Sequence, residues 1–160
     1  MYSAFDLTGH RSLITGGNGG IGMGMAKALL DAGATVSIWG ARAEKTAAAR
    51  DALVDRCGDK TRVHALTCDV GDEAKVEAAM AQTLTAIGGV DSCFANAGVI
   101  GHPTRMIDMD LAEFQRVQRV NVEGVFLTCR AAARAMIAQG RGGSMVVTSS
   151  TAAVEGAARN

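Results

Sequence analysis

The chain has 160 residues, 48% of them hydrophobic and 20% charged, enough for one hydrophobic core and too short for two typical domains. Sixteen basic and sixteen acidic residues cancel, and without a basic stripe the electrostatic footprint of a nucleic-acid or anionic-membrane binder is missing. The N-terminus has no basic segment followed by an apolar one, and no apolar run approaches the ~20 residues of a membrane span, so a cytoplasmic protein with a small ligand is expected.

Ser12 to Thr15 is a short apolar run that enters a glycine cluster, and from Ile21 to Ala32 apolar residues recur at Ile21, Met25, Ala28 and Leu29, which is helical spacing. The glycines therefore sit at a strand-to-helix turn. There glycine supplies positive φ and lets backbone approach a ligand, while the free N–H groups of the new helix attract an anion, and a pyrophosphate is the natural occupant. Two registers fit. Gly17-x-Gly19-x-x-Gly22 satisfies the general dinucleotide fingerprint, which expects an acid ~20 residues further on to hold a ribose. Gly16-x-x-x-Gly20-x-Gly22 after Thr15 is the other, and we adopt it because no acid ends the next strand.

That next strand is Thr35 to Trp39, after a C-capping Gly33. Gly40-Ala41-Arg42 follows it, so nothing acidic repels a 2′-phosphate, and Arg42 is placed to pair with one. Ala43 to Arg56 reads as a connecting surface helix closed near Gly58. Arg62 to Val70 is a third strand ending in Cys68-Asp69-Val70, an Asp-Val pair that resembles an adenine-binding one, in which the carboxylate would accept from the adenine amine while the neighbouring backbone and Val70 contact the ring. A helix with Val76, Met80, Leu84 and Ile87 on one face follows, stopped by Gly88-Gly89.

Val90 to Phe94 leads into Ala95-Asn96-Ala97-Gly98, where small residues let backbone pass close to a ligand and the Asn side chain can bond across to neighbouring strands. Gly101 to Met109 is an irregular link of the kind that borders a cleft. Asp110-x-x-Glu113 reads as a capping box for a long helix with Leu111, Phe114, Val117, Asn121 and Val125 inward and Arg116, Arg119, Glu123, Arg130 and Arg134 outward. A polar Asn121 on an apolar face costs about 1–3 kcal/mol if unsatisfied, so it needs a partner or a function. Ser144 to Thr148 is a fifth strand delivering Ser149 and Ser150. Cys57, Cys68, Cys93 and Cys129 form no C-x-x-C pair, and His10, His64 and His102 show no ligand spacing, so buried structural thiols and no metal are expected.

Thr15-Gly16-x-x-x-Gly20-x-Gly22, Asp69-Val70, Asn96-Ala97-Gly98, Asn121 in its helix and Ser150 after the fifth strand together resemble the short-chain dehydrogenase/reductase family. The resemblance implies an α/β fold, a doubly wound parallel Rossmann-like sheet of order 3-2-1-4-5 with right-handed crossovers, incomplete at its C-terminal side, with residues 1–160 as one NAD(P)-binding domain. It implies cofactor contacts from Thr15, Gly16, Asn18, Gly20, Ile21, Gly22, Arg42, Asp69, Val70, Asn96, Ala97 and Gly98, with NADP weakly preferred. It also implies that Ser150 bonds the reacting oxygen and that Asn121 anchors a water in a proton relay. The implied activity interconverts a small alcohol and a carbonyl by hydride transfer, in a homo-oligomer. The family's Tyr-x-x-x-Lys belongs about 13 residues beyond Ser150, near position 163, whereas the sequence ends at Asn160 and its one tyrosine is Tyr2. The chain therefore reads as about two-thirds of a longer enzyme, itself expected to be inactive; the alternative is a non-catalytic nucleotide-binding or interaction protein of the same fold.

Overall fold

A computed structural model describes residues 5–155. Five strands, β1 (Arg11–Thr15), β2 (Thr35–Gly40), β3 (Val63–Thr67), β4 (Ser92–Ala95) and β5 (Ser144–Val147), form one parallel sheet in the order β3-β2-β1-β4-β5. This is the expected order. Between them run α1 (Gly20–Asp31), α2 (Ala43–Cys57), α3 (Glu73–Ile87), α4 (Leu111–Gln118) and α5 (Gly124–Gln139). The chain passes outward from β1 to β2 and β3, then returns to place β4 on the other side of β1. The carboxyl ends of β1 and β4 thus flank the topological switch point, where ligands bind in open sheets of this kind.

Successive strand residues point to opposite faces, and both faces of the inner strands are covered, so even the hydroxyls of Ser12 and Ser37 are fully buried, paired with Ser92 at 2.8 Å and Thr83 at 3.0 Å. On one face Ile14, Val36 and Ile38 pack with Ala26 and Leu30 of α1 and Ala49 and Leu53 of α2. On the other, Leu13, Trp39 and Cys93 pack with Val76 and Met80 of α3 and Leu127, Ala131 and Met136 of α5. Trp39 is fully buried, and its indole N–H donates to Thr83 Oγ1 at 3.0 Å, so its one polar atom is satisfied by α3.

Three local expectations are corrected. β3 stops at Thr67 instead of Val70: the Cys68 N–H still reaches the Gly40 carbonyl, but Asp69 Oδ1 then accepts from the Gly71 N–H and turns the chain. The capping box is only half formed. Asp110 accepts from the Ala112 N–H, whereas Glu113 is drawn away by the Arg116 guanidinium and the His102 N–H, which hold its carboxyl down at about 2.

The long helix is also not continuous. Arg119–Glu123 form a π-helical turn in which the Gly124 N–H reaches back to the Arg119 carbonyl, and the extra residue rotates the apolar face between α4 and α5. Leu111, Phe114 and Asn121, expected inside, are therefore exposed, and Val117 and Val125 are half-buried. The buried face is Gly124, Leu127, Thr128, Ala131, Ala132, Ala135 and Met136. Among the thiols, Cys68 and Cys93 are buried as expected, while Cys57 and Cys129 are half-buried.

Candidate functional site

The glycine turn after β1 takes the second of the two registers. Gly16 and Gly20 have φ of 66° and 50°, a region side chains disfavour, whereas Gly17 and Gly19 do not need glycine for their backbone. Gly22 is required for packing. A Cβ there would collide with the Gly16 carbonyl and lie 2.6 Å from Asn96 Nδ2, so α1 can pack against the turn only without a side chain. A Cβ on Gly20 would meet nothing within 4 Å. The turn is therefore tightly packed behind Gly22 and open at Gly20, while α1 begins with no side-chain cap and no acid in its first turn. Its N–H groups are left for an anion. Ile21, in the same first turn, is 67% exposed beside this opening.

Thr15 and Asn96 lock the ends of β1 and β4 together. Thr15 Oγ1 accepts from the Asn96 and Ala97 N–H groups, each at 3.0 Å, and Asn96 Nδ2 donates to the Thr15 carbonyl at 3.0 Å. Thr148, just past β5, donates to Asn96 Oδ1 at 3.1 Å. The side chain of Asn96 thus spans three strands, as expected of it, and fixes the crest on which Ala97 and Gly98 follow. Thr148 was not foreseen, because a threonine ending a strand carries no distinguishing local pattern.

Asn121 finds its partner in backbone. Its Oδ1 accepts from the Val99 N–H at 2.8 Å and its Nδ2 donates to the Val99 carbonyl at 2.9 Å, so one amide clamps the segment leaving β4. Two residues earlier on the same π turn, Arg119 bonds Asp69 Oδ2 at 3.1 Å. The Asp69 carboxylate is consequently held from both sides, by Gly71 and by Arg119. Val70 is turned inward against Gly124, whose missing Cβ makes that contact possible. The expectation that the Val70 side chain contacts an adenine is corrected accordingly: what it presents outward is backbone.

Asn18 donates to Thr46 Oγ1 at 3.0 Å, and Thr46 in turn donates to the Arg42 carbonyl, so the amide holds the start of α2 and does not face the opening. It also fills the space beyond β2, since any Cβ on Gly40 would collide with the Asn18 amide and Thr46. The absent acid at this strand end thus has a packing cause. Arg42 is exposed at the N-cap of α2. Ser150 is exposed after β5, and its Oγ accepts from the Ala152 N–H at 3.2 Å. Tyr2 lies outside the described residues. Burial pushes the Cys93 thiol up to about 12 and the Cys68 thiol to about 11, so neither is a nucleophile near neutral pH. No cluster of metal-ligating side chains occurs among the described residues.

A parallel doubly wound sheet with an open, glycine-lined helix start at its switch point defines an α/β protein of the Rossmann type. The family model described as short chain dehydrogenase matches residues 11–160, and the chain belongs to that family. It is 36% identical to (+)-cis,cis-nepetalactol synthase NEPS3 of Nepeta racemosa over 155 residues, covering 94% of this chain and 55% of the relative. It is also 36% identical to the 2,5-dichloro-2,5-cyclohexadiene-1,4-diol dehydrogenase of Sphingobium indicum over 151 residues, covering 94% of this chain and 58% of that protein. The crystal structure of NAD+-bound xylitol dehydrogenase superposes with a TM-score of 0.89 at 29% identity, over 96% of this chain and 57% of that one. The chain thus spans a little over half the length of the proteins it matches.

Proposed function

We propose that residues 1–160 form the dinucleotide-binding domain of an NAD(P)-dependent oxidoreductase that interconverts a small-molecule alcohol and a carbonyl, with NADP preferred. The observation that carries this reading is the glycine turn, packed behind Gly22 and open at Gly20 next to an uncapped helix start. These residues fit a dinucleotide. Gly16, Gly20, Ile21 and the first N–H groups of α1 would hold its pyrophosphate, Arg42 its adenosine ribose, and Asp69 its adenine amine. Asn96, Ala97 and Gly98 form the crest beneath it, braced by Thr15 and Thr148. When bound, the nicotinamide gives or takes the hydride.

In this reading the Ser150 hydroxyl donates a hydrogen bond to the reacting oxygen, leaving its turn contact with Ala152. Asn121 acts by position: with both amide atoms on Val99 it fixes the segment after the crest, and its place on an exposed π turn leaves room for a water beside it. The 160 residues alone would bind the dinucleotide without turnover, because positioned proton transfer contributes about 10²–10⁴-fold and the chain's one tyrosine, Tyr2, lies far from Ser150 in the sequence. Exposed Val122, Phe126 and Ile137 on the π turn and α5 support a homo-oligomer. Four free thiols support a reducing, cytoplasmic setting, and no described helix is long and apolar enough to cross a membrane.

The test is steady-state kinetics of the whole protein with NADPH and NADH over a panel of ketones and alcohols. Ser150→Ala should lower kcat by about 10²-fold or more and leave cofactor affinity unchanged, and Ser149→Ala should do far less. Nucleotide binding without turnover on any substrate would favour the non-catalytic reading instead.

A further inference from the structure

We propose that Arg119, the first residue of the π turn, is a positioning residue that sets the Asp69 carboxylate for the amine of a bound adenine, an inference that rests on the dinucleotide reading above. Asp69 follows β3, and its own turn holds only one of its oxygens, Oδ1, which accepts from the Gly71 N–H at 3.1 Å. The other is held from 50 residues away: Arg119 Nη2 donates to Oδ2 at 3.1 Å. Arg119 is itself seated. A Cβ on Gly71 would lie 2.9 Å from Arg119 Cγ and 3.2 Å from its Nε, so the arginine stem lies over a bare Cα in the turn that carries Asp69.

The helix is shaped for this contact. The π turn ties the Arg119 carbonyl to the Gly124 N–H, and Gly124 receives Val70 in the same way, since a Cβ there would lie 2.7 Å from Val70 Cγ2. Residues 69–71 therefore meet the π turn at both of its ends. Between those ends Asn121 clamps Val99, so one turn fixes the segment after β3 and the segment after β4 together. The Arg119–Asp69 pair adds little to stability, because its side chains are 48% and 31% exposed and water screens such pairs. What it fixes is direction. With both oxygens placed, the free lone pairs of the carboxylate keep one aim, and a hydrogen bond weakens steeply as its angle departs from linear. The exocyclic amine of adenine is a donor that such a carboxylate can take. Arg119 thus acts through Asp69, on the choice of base and not on the phosphates.

The experiment is calorimetric titration of the whole protein with 5′-ADP and with purine riboside 5′-diphosphate, which is ADP without the amine. The intact protein should bind ADP more tightly. Arg119→Met should weaken ADP about fivefold and move the amine-free probe by less than about twofold, while Arg119→Lys, which keeps a cationic donor on a long stem, should retain the preference. In an Asp69→Ala background, Arg119→Met should leave the ratio of the two affinities where Asp69→Ala alone puts it. Equal losses for both probes, an unchanged ratio in Arg119→Met, or a further fall of the ratio in the Asp69→Ala background would each overturn the proposal. So would equal affinity of the intact protein for the two probes, which leaves the dinucleotide reading in place. Binding of neither probe would overturn both.

Discussion

The inner strands β1 and β2 and the edge strand β5 are built to different standards. Every residue of β2 from Val36 to Gly40 is buried, and β1 is buried from Ser12 to Thr15; in β5 all four residues are exposed, with Met145, Val146 and Val147 at 46%, 45% and 53%. An apolar groove formed by Phe5, Leu7, Met25, Ala28, Leu29, Ala32 and Phe94 lies beside the C-terminal half of α1, away from its glycine-rich start. The first half, around β1 and β2, thus has its strands sealed on both faces, and its geometry is fixed by packing. The half that carries Ser150 has its strand paired on one side through β4 only. In the proposed reading, affinity for the nucleotide belongs to the first half, and placement of the reacting oxygen depends on the second.

The largest expected effect separates packing from binding within the sealed half. Gly22→Val should cost about 3 kcal/mol or more, because backbone of Gly16 and the amide of Asn96 would have to move. Gly20→Val should cost only about 1–2 kcal/mol in backbone strain, yet abolish nucleotide binding by filling the open mouth. Denaturant unfolding followed through the buried Trp39, with nucleotide titration alongside, checks both; equal stability losses, or normal affinity in a folded Gly20→Val, would mean that packing and binding are not divided between these two glycines.

A middle-sized effect sharpens the comparison at the opposite end of the strands, where Asp91 ties both halves together. Its carboxylate accepts from the Arg11 backbone and guanidinium at the start of β1 and from Arg141 before β5. Burial raises the Asp91 pKa, but the Arg141 and Arg11 hydrogen bonds outweigh it and hold the group below its ordinary 3.8. A depressed carboxylate contributes stability above that ordinary value and loses it as pH falls through the lower folded one. Asp91→Asn should therefore cost about 1–2 kcal/mol at pH 7 and flatten the loss of stability below about pH 4. An acid-unfolding profile parallel to that of the unaltered chain would remove Asp91 from this role.

The smallest effect belongs to β5. In the 160-residue chain, Val147→Thr should change unfolding free energy by no more than about 0.5 kcal/mol, since half of the side chain is already in water. A loss above about 1.5 kcal/mol, measured by the same unfolding assay, would show that β5 is covered in solution and that this edge and the inner strands differ less than their burial suggests.

The sequence by itself determined the order of elements and the strand-to-helix glycine turn, because these follow from periodicity and from glycine at positions such as 16 and 20 where backbone needs it; the parallel sheet was legible only through the family resemblance. It also pointed to Asn96 as a bridge between strands. What only the tertiary structure decided was set by contacts between residues far apart in the chain. The π turn displaced Leu111, Phe114 and Asn121 from the inner face, which a regular helical spacing carried through from α4 to α5 does not foresee, since the extra residue shifts the phase of the apolar face. Arg119 on Asp69, Asn121 on Val99 and Thr148 on Asn96 join residues separated by 50, 22 and 52 positions. Gly22 shows the reason most directly: read along the chain it is one more flexible glycine, but its missing side chain makes room for the Gly16 carbonyl and for the amide of Asn96, 74 residues later.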